Sequence, residues 1–282
     1  MNLHNPSAEI YVPDGSPAEA ALARTTHMGV GAHQDDLEIM AYHGILECFC
    51  RTDQHFTGVT LTNGSGSPRD DLYANYTDEQ MQQVRRVEQK KAALVGEYSA
   101  HVFLDYPSSA AKDGTDTGVI EDLKSLFRIT RPRVIYTHNP ADKHDTHVAT
   151  ALRVIRALCE LPESLRPQKL YGCEVWRGLD WVNDEEKVVF NVEAHENLAT
   201  ALVSIFDSQV CGGKRYDLAT MGRRRANATY LASHATDVSR SVIFAIDLTA
   251  LIKDPRTDIK EYIGGFLDRF AKDVLERIAR VS

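Results

Sequence analysis

Short apolar runs, partly β-branched, recur along the chain and are separated by longer amphipathic stretches. Residues 27–32 (HMGVGA), 56–62 (FTGVTLT), 101–105 (HVFLD) and 133–137 (RVIYT) predict buried strands. Helical patterns fall at 36–50, 78–96, 119–130, 145–160, 194–206 and 257–281. The stretch 78–96 (DEQMQQVRRVEQKKAALVG) begins with acidic residues, lacks interior Gly or Pro, and ends at Gly96, the expected asymmetry of helix ends. Such alternation predicts right-handed βαβ units and a mostly parallel sheet, hence an α/β fold. Residues 169–176 and 241–248 add strand candidates with a less regular rhythm, so 211–282 is expected to complete the same domain.

The loops carry the unusual chemistry. Polar segments follow each of the first four strands: His33-Gln34-Asp35-Asp36, then 63–77, 106–118 and 138–147. In a parallel sheet all four leave from the carboxyl edge, where ligands bind. GAHQDDLE (31–38) places a histidine and two adjacent carboxylates where a strand gives way to a helix. In HNPADKHDTH (138–147), His144 and His147 stand three apart at a helix start, a spacing that sets Cβ atoms about 5–6 Å apart on one side. One histidine from each segment plus one carboxylate suits Zn²⁺ with an open position for water, and the same ligand types also hold Fe²⁺. Each segment alone has a plain reading, as solvated loop or as acids favoured at a helix N-terminus. Two on one rim argue for a metal site.

Composition narrows the class without naming a reaction. The 282 residues are 43% hydrophobic and 26% charged, as in globular proteins. A net charge of −8 disfavours affinity for nucleic acid or anionic membrane, and no apolar run is long enough for a membrane span. The N-terminal residues do not read as a signal peptide. Five scattered cysteines read as free thiols of a reducing compartment, so a cytoplasmic location is expected. The 11 histidines are the one compositional oddity.

The two motifs resemble the PIG-L/LmbE-type zinc-dependent N-deacetylases, whose pattern is A-H-P-D-D after the first strand and H-x-x-H after a later one. Here they stand as Ala32-His33-Gln34-Asp35-Asp36 and His144-Asp145-Thr146-His147. Weaker matches extend the resemblance over 27–210: VTLTNGSGS (59–67), an R-x-x-E helix from Arg85 to Glu88, a strand ending at Asp105, and D-S-Q at 207–209. The resemblance implies one LmbE-like, Rossmann-like three-layer domain over 1–282. It implies one Zn²⁺ per chain on His33, Asp36 and His147, with Asp35 as general base. His144 would stabilise the oxyanion and help protonate the leaving amine, and Arg85 and Asp105 would contact substrate. The implied substrate is an N-acetylglucosamine-type amino sugar or a small glycoconjugate. The chain departs from the pattern at Gln34, which replaces Pro, at Leu37, which precedes Glu38 where an acid usually follows the Asp pair, and at Thr146, which stands where Asp usually precedes the last His. An Asp orienting His144 would come from Asp142, Asp145 or Asp105.

Physical chemistry asks for the same residue types. Hydrolysing an acetamide near neutral pH needs an activated water, a carboxylate to take its proton and a donor for the oxyanion. A two-metal phosphoesterase and a non-catalytic sugar-binding module are the rival readings. Arg85 beside Glu88 reads by itself as an exposed helix-stabilising pair. Arg223-Arg224-Arg225 reads as a solvated or ion-paired surface or as an anion site, and Trp176, Trp181 and Tyr106 as sugar-stacking rings or core. His138 is read as support for the site rather than as a ligand. A homo-oligomer is compatible with the rim loops packing on a second subunit.

Overall fold

A computed structural model describes residues 3–282. One eight-stranded sheet runs in the order β1-β4-β3-β2-β5-β6-β8-β7. Its strands are β1 (Glu9–Tyr11), β2 (His27–Gly31), β3 (Phe56–Thr62), β4 (Ala100–Tyr106), β5 (Val134–His138), β6 (Lys169–Cys173), β7 (Val188–Asn191) and β8 (Val242–Asp247). The central run β4-β3-β2-β5-β6 is parallel, and β1, β8 and β7 join antiparallel at the two edges. The mostly parallel α/β sheet expected from the strand-helix rhythm is present.

Alternate residues of each strand feed two cores. Met28, Val30, Val59, Val102 and Ile135 pack against helices that include Gly118–Thr130 and Asp145–Cys159. Phe56, Tyr136 and Ala245 pack on the opposite face against Asp36–Met40, Tyr42–Cys48 and Glu196–Ser204. The result is three layers, helix on sheet on helix. Leu37 lies directly on the second face. A Cβ at Gly29 would sit 2.9 Å from its Cδ2, and one at Gly58 would sit 2.9 Å from its Cδ1. These glycines are what allow the helix after β2 to settle so close to the sheet.

The expected helix 36–50 is two helices, Asp36–Met40 and Tyr42–Cys48, with the chain bending at Ala41. The bend brings Gly44 against the Tyr136 ring, where a Cβ would meet Cε2 at 2.5 Å. The sequence pattern leaves β1, β7 and the helix Tyr216–Tyr230 unassigned. The two strands are short edge segments, and the helix has a polar pattern interrupted by its arginine run. Arg224 in that helix is buried rather than solvated. Its guanidinium donates to the carbonyls of Glu38 (2.7 Å) and Ile39 (3.2 Å) and lies over the Tyr42 ring. The orphan carbonyls at the end of Asp36–Met40 thus find a cationic donor. Arg225 pairs with Glu196 on the surface, and Arg223 donates to the Val175 carbonyl. Among the described residues no helix is long and apolar enough to cross a membrane.

Candidate metal and active site

Strand order reverses at β2, with β3 on one side and β5 on the other, so a crevice opens beyond the carboxyl ends of β2 and β5. Both motifs emerge there. After β2 the chain makes a tight turn in which Asp36 Oδ2 accepts the His33 backbone N–H at 2.7 Å. Asp35 takes up the left-handed region at φ 86°, which Asp tolerates better than most residues. That conformation sends Asp35 and Asp36 in different directions. The Asp35 N–H is held at 3.2 Å by Gln89 Oε1, and Gln89 Nε2 in turn donates to Glu38 Oε1 at 2.7 Å. Tyr98 OH gives Glu38 Oε1 a second donor, also at 2.7 Å.

His33, Asp36 and His147 converge. His33 Nδ1 lies 3.2 Å from His147 Nε2 and 3.4 Å from Asp36 Oδ2, and His147 Nε2 lies 3.4 Å from Asp36 Oδ1. Tetrahedral ligands at about 2.0–2.1 Å from a zinc ion are separated by about 3.3 Å, so this donor set fits such an ion. Asp142 Oδ2 sits 3.2 Å from His147 Nδ1, which places the proton there and leaves the Nε2 lone pair facing His33 and Asp36. His138, Asp142 and His147 form a second, fully buried cluster. His138 stacks on His147 with ring centroids 3.9 Å apart and has Nε2 3.1 Å from Asp36 Oδ2. Burial raises the pKa of Asp36, but the His147 and His138 rings outweigh it and hold the carboxylate well below its usual range.

The cleft above these donors has a volume of about 370 Å³, and its lining includes Asp35, Arg85, His144 and Trp176 beside the ligand set. Arg85 is 1% exposed, so the exposed pair read from the sequence is corrected. The helix Asp78–Val95 is anchored at its start by a reciprocal capping box between Thr77 and Gln80 and turns Arg85 inward. Its Nη2 reaches Asp35 Oδ2 at 2.9 Å and the Gln34 carbonyl, and its Nη1 lies 3.6 Å from Glu88. Burial pushes Asp35 up to about 6 against the opposing pull of Arg85. His144 is the N-cap of Asp145–Cys159, its Nδ1 accepting the Thr146 N–H at 3.3 Å, which leaves the proton on Nε2. Burial, with His147 and His33 nearby, lowers its pKa.

Asp105 is not brought to the cleft. Its carboxylate pairs with Arg86 at 2.7 Å, away from the lining residues. Of the aromatic candidates only Trp176 lines the cleft. Trp181 donates to Glu174 and packs on Phe266, and Tyr106 OH bonds Asp122 within the core. Sequence reasoning does not find Gln89, Tyr98 or Tyr216. Gln89 stands four residues after Arg85, one helical turn along the same face, and that spacing is the available signal.

The family model described as GlcNAc-PI de-N-acetylase, PIG-L, matches residues 28–158, which contain both motifs and the three candidate ligands His33, Asp36 and His147. Residues 28–158 form a PIG-L family domain. The solved structures similar to the chain cover more of it than this domain does. The N,N'-diacetylchitobiose deacetylase of Pyrococcus horikoshii is 15% identical, with a TM-score of 0.64 over 83% of this chain and 88% of that one. A conserved protein of Thermus thermophilus is 18% identical, with a TM-score of 0.61 over 83% and 99%. The 4-carboxy-2-hydroxymuconate hydratase of Pseudomonas putida is 17% identical, with a TM-score of 0.61 over 83% and 98%. No curated protein matches the chain. A protein named a deacetylase and one named a hydratase thus share this chain's fold, and the fold alone does not choose the reaction.

Proposed function

We propose that the protein is a zinc-dependent N-deacetylase, folded as one domain, that removes the acetyl group from an N-acetylglucosamine-type amino sugar or small glycoconjugate. The observation that carries this reading is the placement of Asp35 in the cleft beside His33, Asp36 and His147. A sugar-binding module has no use for a base at that point. Those three residues would hold one Zn²⁺, which would supply Lewis acidity and lower the pKa of a water to about 7. Asp35 Oδ2 is engaged by Arg85, and Oδ1 has no protein donor among the described residues, which leaves it to take the proton of the attacking water. A carboxylate with one oxygen held by Arg85 and the other free is placed for that transfer. His144 Nε2–H donates to the carbonyl oxygen as negative charge develops there. The C–N bond then breaks, and the nitrogen leaves as the amine with a proton from Asp35 or His144, giving acetate. Arg85 positions Asp35. Trp176 offers an apolar face for a sugar ring.

The test is acetate release from a panel of N-acetylated amino sugars by the zinc-loaded protein, with metal content measured alongside. One zinc per chain is expected, and Asp35→Asn should lower kcat at least 100-fold, within the usual range for a general base. No acetate from any member, full activity in Asp35→Asn, or two metals per chain would overturn the reading.

A further inference from the structure

The walls of the cleft are not balanced in charge. Asp35 is paired with Arg85, and Asp36 is enclosed by His33, His138 and His147. Lys112 and Lys214 also line the cleft and have no acidic partner among the described residues. Lys143 stands beside them, likewise without one among those residues. Its Nζ lies 5.6 Å from the centre of the Trp176 ring, and the Nζ of Lys214 lies 5.2 Å from the same centre. Trp176 is itself fixed, edge-on to Tyr216 at 6.0 Å, on a loop tied down by Glu174, which accepts from the Leu179 N–H, Asn139 and Trp181. Of the nearby acids, Asp217 pairs with Arg215, while Asp113 accepts from Thr115 and Asp70 from the Asp71 N–H. A chain with a net charge of −8 thus sets three ammonium groups without acidic partners among the described residues at this cleft, two of them at one aromatic ring. One buried cation lies further in. Among the described residues Arg85 Nε and Nη1 have no hydrogen-bond partner, Nη1 lying 3.6 Å from Glu88.

We propose that the substrate carries an anionic group, phosphate or carboxylate, held at the entrance by Lys112 and Lys214 with Lys143 alongside. This rests on the deacetylase reading for the word substrate, but the binding preference stands on the charges alone. Cations at a low-dielectric opening concentrate field lines and draw an anionic ligand inward. Trp176, with two of these ammonium groups 5.2 and 5.6 Å from its ring centre, suits a ring packed on the indole with its charged substituent toward the lysines.

The experiment separates the two claims by using product-type ligands that do not turn over. Binding of glucosamine, glucosamine 1-phosphate, glucosamine 6-phosphate and muramic acid to the zinc-loaded full chain is measured by calorimetry, with acetate release from the matching N-acetylated compounds measured in parallel. At least one anionic member should bind at least tenfold more tightly than glucosamine, and which one binds distinguishes phosphate from carboxylate. The ratio should fall toward one in the Lys112→Met/Lys214→Met variant and in 0.5 M salt, and should be kept in Lys112→Arg/Lys214→Arg. Circular dichroism and zinc content establish that the variants are folded. Preferential binding without acetate release would leave the anionic ligand standing and defeat the deacetylase reading. Equal binding of glucosamine and every anion, or a preference unchanged in Lys112→Met/Lys214→Met, would overturn the anionic ligand whatever the acetate release.

Discussion

Replacing Asp142 by Asn tests the geometry of the proposed metal site at a residue outside the cleft lining. The Asp142 side chain is fully buried, with Oδ2 3.2 Å from His147 Nδ1 and Oδ1 accepting the His144 N–H at 3.1 Å. Burial opposes its charge, yet the bonds from His147 and the His144 backbone hold it at about 2, so it is a carboxylate throughout the working range. Asn has the same shape and still accepts the His144 N–H. What it loses is the negative charge that fixes the tautomer and raises the basicity of His147. Removing the carboxylate partner of a ligating histidine costs about 10–100-fold in metal affinity, or about 1.4–2.7 kcal/mol. Zinc titration against a competing chelator at pH 7.5 should therefore show the affinity of Asp142→Asn reduced by that factor, with circular dichroism showing the metal-free variant folded. Asp145→Asn is the control. That residue begins the same helix but is exposed, and its affinity should stay within twofold of wild type. An Asp142→Asn affinity within twofold of wild type would refute the assignment of His147 Nε2 as ligand and Asp142 as its support.

Gln89→Leu leaves the Asp35 N–H without its acceptor and Glu38 Oε1 with one donor instead of two. A cost of about 1–3 kcal/mol is expected, at roughly 2–4 °C of melting temperature per kcal/mol, together with a fall in kcat at unchanged KM; a melting curve and kinetics identical to wild type would contradict it. Burial lowers His101 to about 3 and leaves its Nδ1 unpartnered, whereas an unfolded histidine titrates near 6.5. As pH falls from 6.5 to 5 the unfolded chain takes up a proton that the native chain does not, which costs about 1.4 kcal/mol per pH unit. His101→Gln keeps a partner for Thr60 Oγ1, and its urea stability should gain about 2 kcal/mol relative to wild type over that interval. A gap between the two proteins that does not move with pH would exclude the burial effect.

Much of the molecule is legible along the chain. The strands of the parallel sheet are short apolar runs; the boundaries of β2, β3, β4 and β5 fall within a residue of those expected, while β6 ends at Cys173, three residues short of the expected 176. The loops with unusual chemistry gather on one edge because every parallel strand ends there. What cannot be read are elements whose stability comes from elsewhere, such as β7, a four-residue edge strand paired only with β8, and the helix Tyr216–Tyr230, held partly by one buried arginine.

By itself the sequence determined the strand and helix rhythm, the order of the two motifs, and the residue types able to hold a metal. These follow from local chemistry, since periodicity and turn preferences act over a few residues. The partners were decided only by the tertiary structure. Arg85 is buried on Asp35 while Arg86, one residue on, faces outward and removes Asp105 from the cleft. Asp142 rather than Asp145 or Asp105 lies against His147, and Trp176 reaches the cleft while Trp181 does not. Each choice depends on which face of a helix or loop meets a segment far away in the chain, as His33 meets His147. The low dielectric of that buried meeting point is what gives the chosen pairs their strength.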